Sequence, residues 1–117
     1  MSSIVHFEIP FDEAERARKF YSELFGWKIV KAPGMECWTI AIQEGTYGGM
    51  MKRFNRNQRI TDYFGVSSIL ESSAKVEELG GKVLVPKMPV PTMGYFAVCM
   101  DTEGNVFGLW EADPQAK

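Results

Sequence analysis

Apolar and polar residues alternate along the opening segment Ile4–Ile9, which reads Ile-Val-His-Phe-Glu-Ile. Alternation with a period of two marks a strand with one buried face, and Pro10 is expected to end it. The pattern then changes period. Ala14, Ala17, Phe20, Tyr21, Leu24 and Phe25 recur at three- and four-residue spacing, which predicts a helix with these six on its apolar face. Asp12 with Glu15 three residues on gives a capping-box start, and Gly26 gives the stop. Trp27–Val30 and Cys37–Ile42 read as strands around an Ala32-Pro33-Gly34 turn, and a Glu44-Gly45 turn leads into a fourth strand.

The second half repeats this plan. Thr61–Val66 reads as a strand, and Ser68 with Glu71 forms another capping-box spacing. A helix with Ile69, Val76 and Leu79 on one face runs to Gly80-Gly81. Lys82–Val85 is a strand and Pro86–Gly94 a loop, since its three prolines bar a central strand. Tyr95–Met100 and Val106–Glu111 complete the set, leaving 112–117 as a tail. The turn-and-strand stretch Glu103–Glu111 also has an echo at Glu44–Met51, in which Gly49 matches Gly108 and Met50-Met51 match Leu109-Trp110. The expected fold is therefore α+β: two tandem βαβββ modules, about 4–53 and 61–111, forming a curled mixed sheet around a cleft in one domain of 117 residues.

Charge narrows the partners. Thirteen basic and 15 acidic side chains nearly balance, so a nucleic-acid partner is not expected. No run is apolar and long enough for a membrane span, and the first residues lack the regions of a signal peptide; a cytoplasmic location is expected. Cys37 and Cys99 lie far apart in strand-like surroundings and read as buried small hydrophobes. Lys52–Arg59 carries four basic residues and no acid, and reads as a linker loop, with an anion-binding flap as the alternative.

Several stretches carry a resemblance. Phe20-Tyr21 followed by Leu24-Phe25-Gly26-Trp27, then Leu79-Gly80-Gly81-Lys82-Val83, then Asp101-Thr102-Glu103-Gly104-Asn105, resemble signatures of the vicinal-oxygen-chelate superfamily. That group includes glyoxalase I, bleomycin-resistance proteins, extradiol dioxygenases and fosfomycin-resistance enzymes. The resemblance implies a cleft in which metalloenzyme members hold a divalent ion. It implies one ligand from the first and last strand of each module, and often a homodimer.

Carried over by that resemblance, the first-strand slot of module one falls on His6 and that of module two on Thr61; the last-strand slots fall on Gly49 and Gly108. Only His6 is a competent ligand. Glu8 shares its parity, and Glu111 lies near Gly108 but alternates to the opposite face, so His6, Glu8 and Glu111 form only a weak candidate metal set. Glycine inside a strand marks close approach of another group. The expected cleft lining is therefore His6, Glu8, Gly49, Met51, Thr61, Tyr63, Gly108 and Trp110, a largely apolar and aromatic set suited to a small organic molecule. Two readings stay open. One is a bleomycin-resistance-like binding protein for an aromatic or planar molecule, without the full metal site. The other is a metal-dependent lyase or dioxygenase with a degenerate or relocated site using His6. A structural or regulatory dimer with an empty cleft is a third.

Overall fold

The computed structural model describes residues 1–43 and 46–117. The expected Glu44-Gly45 turn lies outside the described residues. The elements run β1 (Ile4–Phe11), α1 (Ala14–Phe25), β2 (Lys28–Lys31), β3 (Cys37–Gln43), β4 (Thr46–Lys52), β5 (Thr61–Gly65), α2 (Ile69–Glu78), β6 (Lys82–Val90), β7 (Gly94–Met100) and β8 (Val106–Ala112). The α+β class and the twofold βαβββ plan are as expected. The chain divides into two compact units, His6–Thr61 and Asp62–Lys117, the latter completed by Met1–Val5.

In the N-terminal unit the strand order is β2-β3-β4-β1, with β1 and β4 parallel and the other pairs antiparallel. Phe7, Ile9 and Phe11 point to the helix side, as alternation requires, and join Ile29, Ile40 and Met50 in the core. Ala14, Ala17 and Tyr21 of α1 pack on this face. Tyr21, Phe25 and Trp27 stack in turn, and Trp27 meets Phe7, so an aromatic series ties the end of α1 to the sheet. Gly26 stops the helix in the left-handed region at φ 71°, with its N–H donating to Ser22 O at 2.8 Å.

Three expectations fail here. Strand β1 continues through Pro10 to Phe11, and Pro10 is buried within it. The N-cap of α1 is Glu13 without a side-chain cap, because Asp12 is drawn instead to Arg53, whose Nε donates to Asp12 Oδ1 at 3.1 Å. The apolar face of α1 is also narrower than its pattern: Phe20, Leu24 and Phe25 are exposed.

The C-terminal unit has the order β6-β7-β8-β5, with β5 and β8 parallel. Ile69, Ala97, Cys99 and Leu109 form its core, with Val66, Val76, Val83, Tyr95 and Phe107 around them. Each large side chain sealed this way contributes roughly 1.5–3 kcal/mol. Ser68 caps α2 as predicted, accepting from Glu71 N at 3.2 Å. Leu79 does not join the apolar face; it follows the last helical turn and is exposed. Pro86–Val90 is strand rather than loop. Strand β6 is an outer strand bearing register shifts, which tolerates prolines that lack a donor. The tail is also ordered: Ala116 is buried and its carbonyl accepts from Thr92 N at 2.9 Å. No described helix is long and apolar enough to cross a membrane.

Candidate functional site

Because Phe7, Ile9 and Phe11 face α1, the intervening His6, Glu8 and Pro10 lie on the opposite face of the N-terminal sheet. Strand β4 continues that face: His6 pairs with Tyr47, Glu8 with Gly49 and Pro10 with Met51. Beyond β4, Thr39 stands opposite Gly49 and Cys37 opposite Met51. Gly49 therefore sits between Glu8 and Thr39, and its missing side chain matters. A Cβ there would fall 2.6 Å from Glu8 Oε2, so the Glu8 carboxylate bends across the strand into the space the glycine leaves. In that position Glu8 Oε1 lies 3.0 Å from His6 Nε2. An ionised carboxylate only accepts, so the imidazole donates through Nε2. Both side chains are partly exposed, His6 by 33% and Glu8 by 26%.

The neighbouring Gly48 performs the same service on the helix side, where the Phe7 ring occupies the place of its side chain. The Gly48-Gly49 pair thus opens one space on each face of β4. Met51 is half-buried on the His6 face, with Gln58 Nε2 3.9 Å from its sulfur. Thr61 belongs to the same unit, but its hydroxyl donates to Arg59 O at 3.1 Å in the preceding turn. The arginines of the basic stretch are likewise engaged locally. Arg53 reaches Asp12, Gln58 O and Pro10 O, and Arg59 donates to Arg56 O and Gln58 O. That pattern fits a linker loop held by its own carbonyls.

In the C-terminal unit, Tyr63 pairs with Gly108 and Gly65 with Trp110 across the parallel strands. The Tyr63 ring lies over Gly108; a Cβ there would fall within 2.1 Å of Cδ2 and 2.6 Å of Cγ. On the same face, Trp110 stands opposite Phe96 and its ring covers Gly94. Tyr63, Phe96 and Trp110 are all half-buried, so this face is aromatic where the N-terminal one carries an acid–imidazole pair.

Glu111 is on the other side. Its Oε1 accepts from Ile69 N at 2.8 Å, satisfying a free N–H in the first turn of α2, and Lys87 Nζ stands 3.6 Å away. Lys87 also lies 4.3 Å from the Tyr95 ring centre. The register of β7 with β8 is unbroken through Glu111, so no bulge turns it inward. Glu111 is a helix-capping carboxylate and drops out of the weak metal set.

His6 and Glu8 stand together; Gly49 and Gly108 are covered by the chain's own side chains; Thr61 is bonded to its turn. Among the described residues no group of three or more His, Cys, Asp or Glu side chains converges. A divalent ion needs at least three such donors for an open catalytic site, so the described residues do not fit one. The sequence reading missed Tyr47 and Phe96, which parity alone could have added. It could not have shown that Glu8 folds over Gly49.

Away from this site, the surroundings of Asp101 and Cys99 shift their acidities, and both residues do structural work. The Asp101 carboxyl is held below its ordinary range, first by the Asn105 N–H, then by the Asn105 side chain and the Glu103 N–H. It ties together the turn before β8. The Cys99 thiol is raised, first by burial and then by Glu77. Both cysteines are free, Cys99 in the core and Cys37 half-buried.

Two strand–helix–three-strand repeats, each with a parallel pair formed by its first and last strands, define the paired βαβββ class. A family model described as bleomycin resistance protein-like N-terminal matches residues 3–43. A glyoxylase-like domain-containing protein of Didymella fabae is 30% identical over 114 residues, covering 87% of this chain and 88% of that protein. A protein of Mycobacterium tuberculosis named as a glyoxylase is 34% identical over 53 residues. That match covers 45% of this chain and 20% of the relative, so the chain spans about a fifth of its length. Among solved structures, methylmalonyl-CoA epimerase from Mycobacterium tuberculosis shares the fold with a TM-score of 0.72 at 14% identity, over 95% of this chain and 88% of that one. The chain belongs to the glyoxalase/bleomycin-resistance family.

Proposed function

We propose that this chain is a small-molecule-binding member of its family that holds a planar or aromatic compound without a resident metal. One observation carries the reading: the space above Gly108, where the family resemblance calls for an acidic ligand, is filled by the Tyr63 ring. With Phe96 and Trp110 beside it, that face offers π surfaces instead of anionic oxygens. Stacking on such a surface selects flat, unsaturated molecules, and exposed ring area gives affinity at low entropic cost.

The His6–Glu8 pair favours a second reading, in which the protein is a lyase or dioxygenase of the same superfamily. An imidazole fixed by a carboxylate is a common arrangement for moving a proton or seating a cation. Two donors fall short of a metal site, and this reading needs a third from the substrate itself.

Tryptophan fluorescence separates the two. A naphthalene sulfonate serves as the planar probe. Saturable quenching in the wild type, unaffected by chelator and lost in Trp110→Phe, is the expected result. If quenching persists in Trp110→Phe, or the probe does not bind, the binding reading fails. Turnover of the methylglyoxal–glutathione adduct that requires added metal and vanishes in His6→Ala would establish the second reading in its place.

A further inference from the structure

At one end of the N-terminal sheet, two connecting segments carry large apolar side chains into solvent. Strand β3 runs antiparallel to both β2 and β4, with Lys31 opposite Trp38 and Cys37 opposite Met51. The 32–36 turn and the 53–60 loop therefore leave the sheet at the same end, from neighbouring strands. Phe54 in the loop is 77% exposed and Met35 in the turn 59%. Ile60, at the far end of the loop, is exposed as well. Side chains of this size gain by leaving water, and the chain itself gives them little cover.

The loop that presents Phe54 is held by its own polar groups. Phe54 N donates to Gln58 Oε1 at 3.1 Å, Gln58 N to Asn55 O at 2.9 Å, and Asn57 N to Asn55 Oδ1 at 2.8 Å. Arg53 joins the base of the loop to Asp12 and Pro10 O. Carbonyl partners do not cancel a charge, so Arg59 keeps its own while donating to Arg56 O and Gln58 O. Among the described residues, Arg53 is paired with Asp12 and Lys31 with Glu36, but no carboxylate pairs with Lys52, Arg56 or Arg59. Three exposed, unneutralised cations thus flank Phe54 along the chain.

We propose that this end of the sheet docks on an anionic lipid bilayer, with Phe54 and Met35 entering the interface and Lys52, Arg56 and Arg59 set against the phosphate headgroups. The cations draw the loop to a negative surface, and the apolar tips then leave water between the headgroups. A nucleic acid would satisfy the same cations and stack on Phe54, but the aliphatic Met35 and Ile60 offer it no stacking face. Acyl chains accept all three. Peripheral docking requires no spanning segment, and no described helix supplies one. The inference goes beyond the proposed function and does not depend on it, since it uses residues of the N-terminal unit alone.

Co-sedimentation of the full chain with vesicles tests it, using phosphatidylcholine alone and phosphatidylcholine with about one-third phosphatidylglycerol. The chain is expected to sediment only with the anionic vesicles, and to be released as salt rises from about 50 to about 500 mM. Lys52→Gln combined with Arg56→Gln should weaken binding roughly 25-fold, at roughly fivefold per cation removed. Phe54→Ser should weaken it roughly tenfold. Phe54→Trp should gain quenching by brominated acyl chains above that of the wild type. These positions are exposed, and circular dichroism checks that each variant folds. No binding to anionic vesicles, equal binding to neutral ones, indifference to the paired glutamine changes, or no added quenching in Phe54→Trp would each overturn the proposal. Binding to single-stranded DNA in place of vesicles would overturn it in favour of a nucleic-acid surface.

Discussion

Helices α1 and α2 hold the same place in the two repeats, yet the chain secures them from opposite ends. Helix α2 is fixed at its start: Ser68 accepts from Glu71 N, Glu111 accepts from Ile69 N, and Ile69 itself is fully buried. Helix α1 has no side-chain cap and no fully buried residue, and is fixed at its end by Gly26 and the Tyr21–Phe25–Trp27 stack. A duplicated topology can thus keep its shape while its anchors move. The sheet faces diverge in the same way. Gly49 and Gly108 sit at matched positions, but one is covered by a flexible carboxylate and the other by a rigid ring.

The glycines give the largest contrast. Gly108→Ala drives a methyl group into the body of the Tyr63 ring, close to its attachment atom, and should cost about 2–3 kcal/mol in urea unfolding. Gly49→Ala meets only the end of the Glu8 side chain, which can swing aside, and should cost under about 1 kcal/mol. Equal losses would mean that the two coverings are alike after all. The Gly49→Ala variant should also change the His6 imidazole resonance in NMR, because its carboxylate partner is displaced.

The helix starts come next. Glu111→Ala leaves the Ile69 N–H without its partner and Lys87 without its acid, and should destabilise by about 1–2 kcal/mol. Ser68→Ala should cost about 1 kcal/mol. Asp12→Ala should change stability by less than about 0.5 kcal/mol, since Asp12 does not cap α1 and its ion pair is exposed. Thermal unfolding in which Asp12→Ala matched Glu111→Ala would contradict the assigned difference in anchoring.

The smallest effect is acid sensitivity at the turn before β8. The Asp101 carboxyl has a folded-state pKa below its unfolded value, so its contribution is present above the unfolded pKa and is lost as pH falls through the folded one. The loss should therefore appear below about pH 4. Asp101→Asn should flatten that part of the stability profile and leave neutral-pH ligand binding intact.

Much of this fold could be read from the chain because the informative signals are local. The alternation around His6 and Glu8, the glycine stop at Gly26 and the cap at Ser68 each depend on a few adjacent residues. What could not be read depends on contacts made across the chain. Asp12 looks like a cap until Arg53, 41 residues away, takes its carboxylate. Prolines 86 and 89 argue for a loop until β6 proves to be an outer strand, and Phe20 and Leu24 fit an apolar helix face wider than the sheet can cover. Of the site, parity selected His6, Glu8, Gly49, Met51, Thr61, Tyr63, Gly108 and Trp110 as one cleft lining, and strand register groups His6, Glu8, Gly49 and Met51 in one unit and Tyr63, Gly108 and Trp110 in the other. Side-chain direction decided the rest. Glu8 turns onto Gly49, Tyr63 onto Gly108, and Glu111 away to α2.

The central claim is that the described donor set of this family member does not seat a metal ion by itself. Calorimetric titration of the chain, purified without chelator, with nickel, zinc, iron and manganese in turn addresses it most directly. The account predicts no stoichiometric site for any of the four. One equivalent bound by the wild type and lost in both His6→Ala and Glu8→Ala would contradict it.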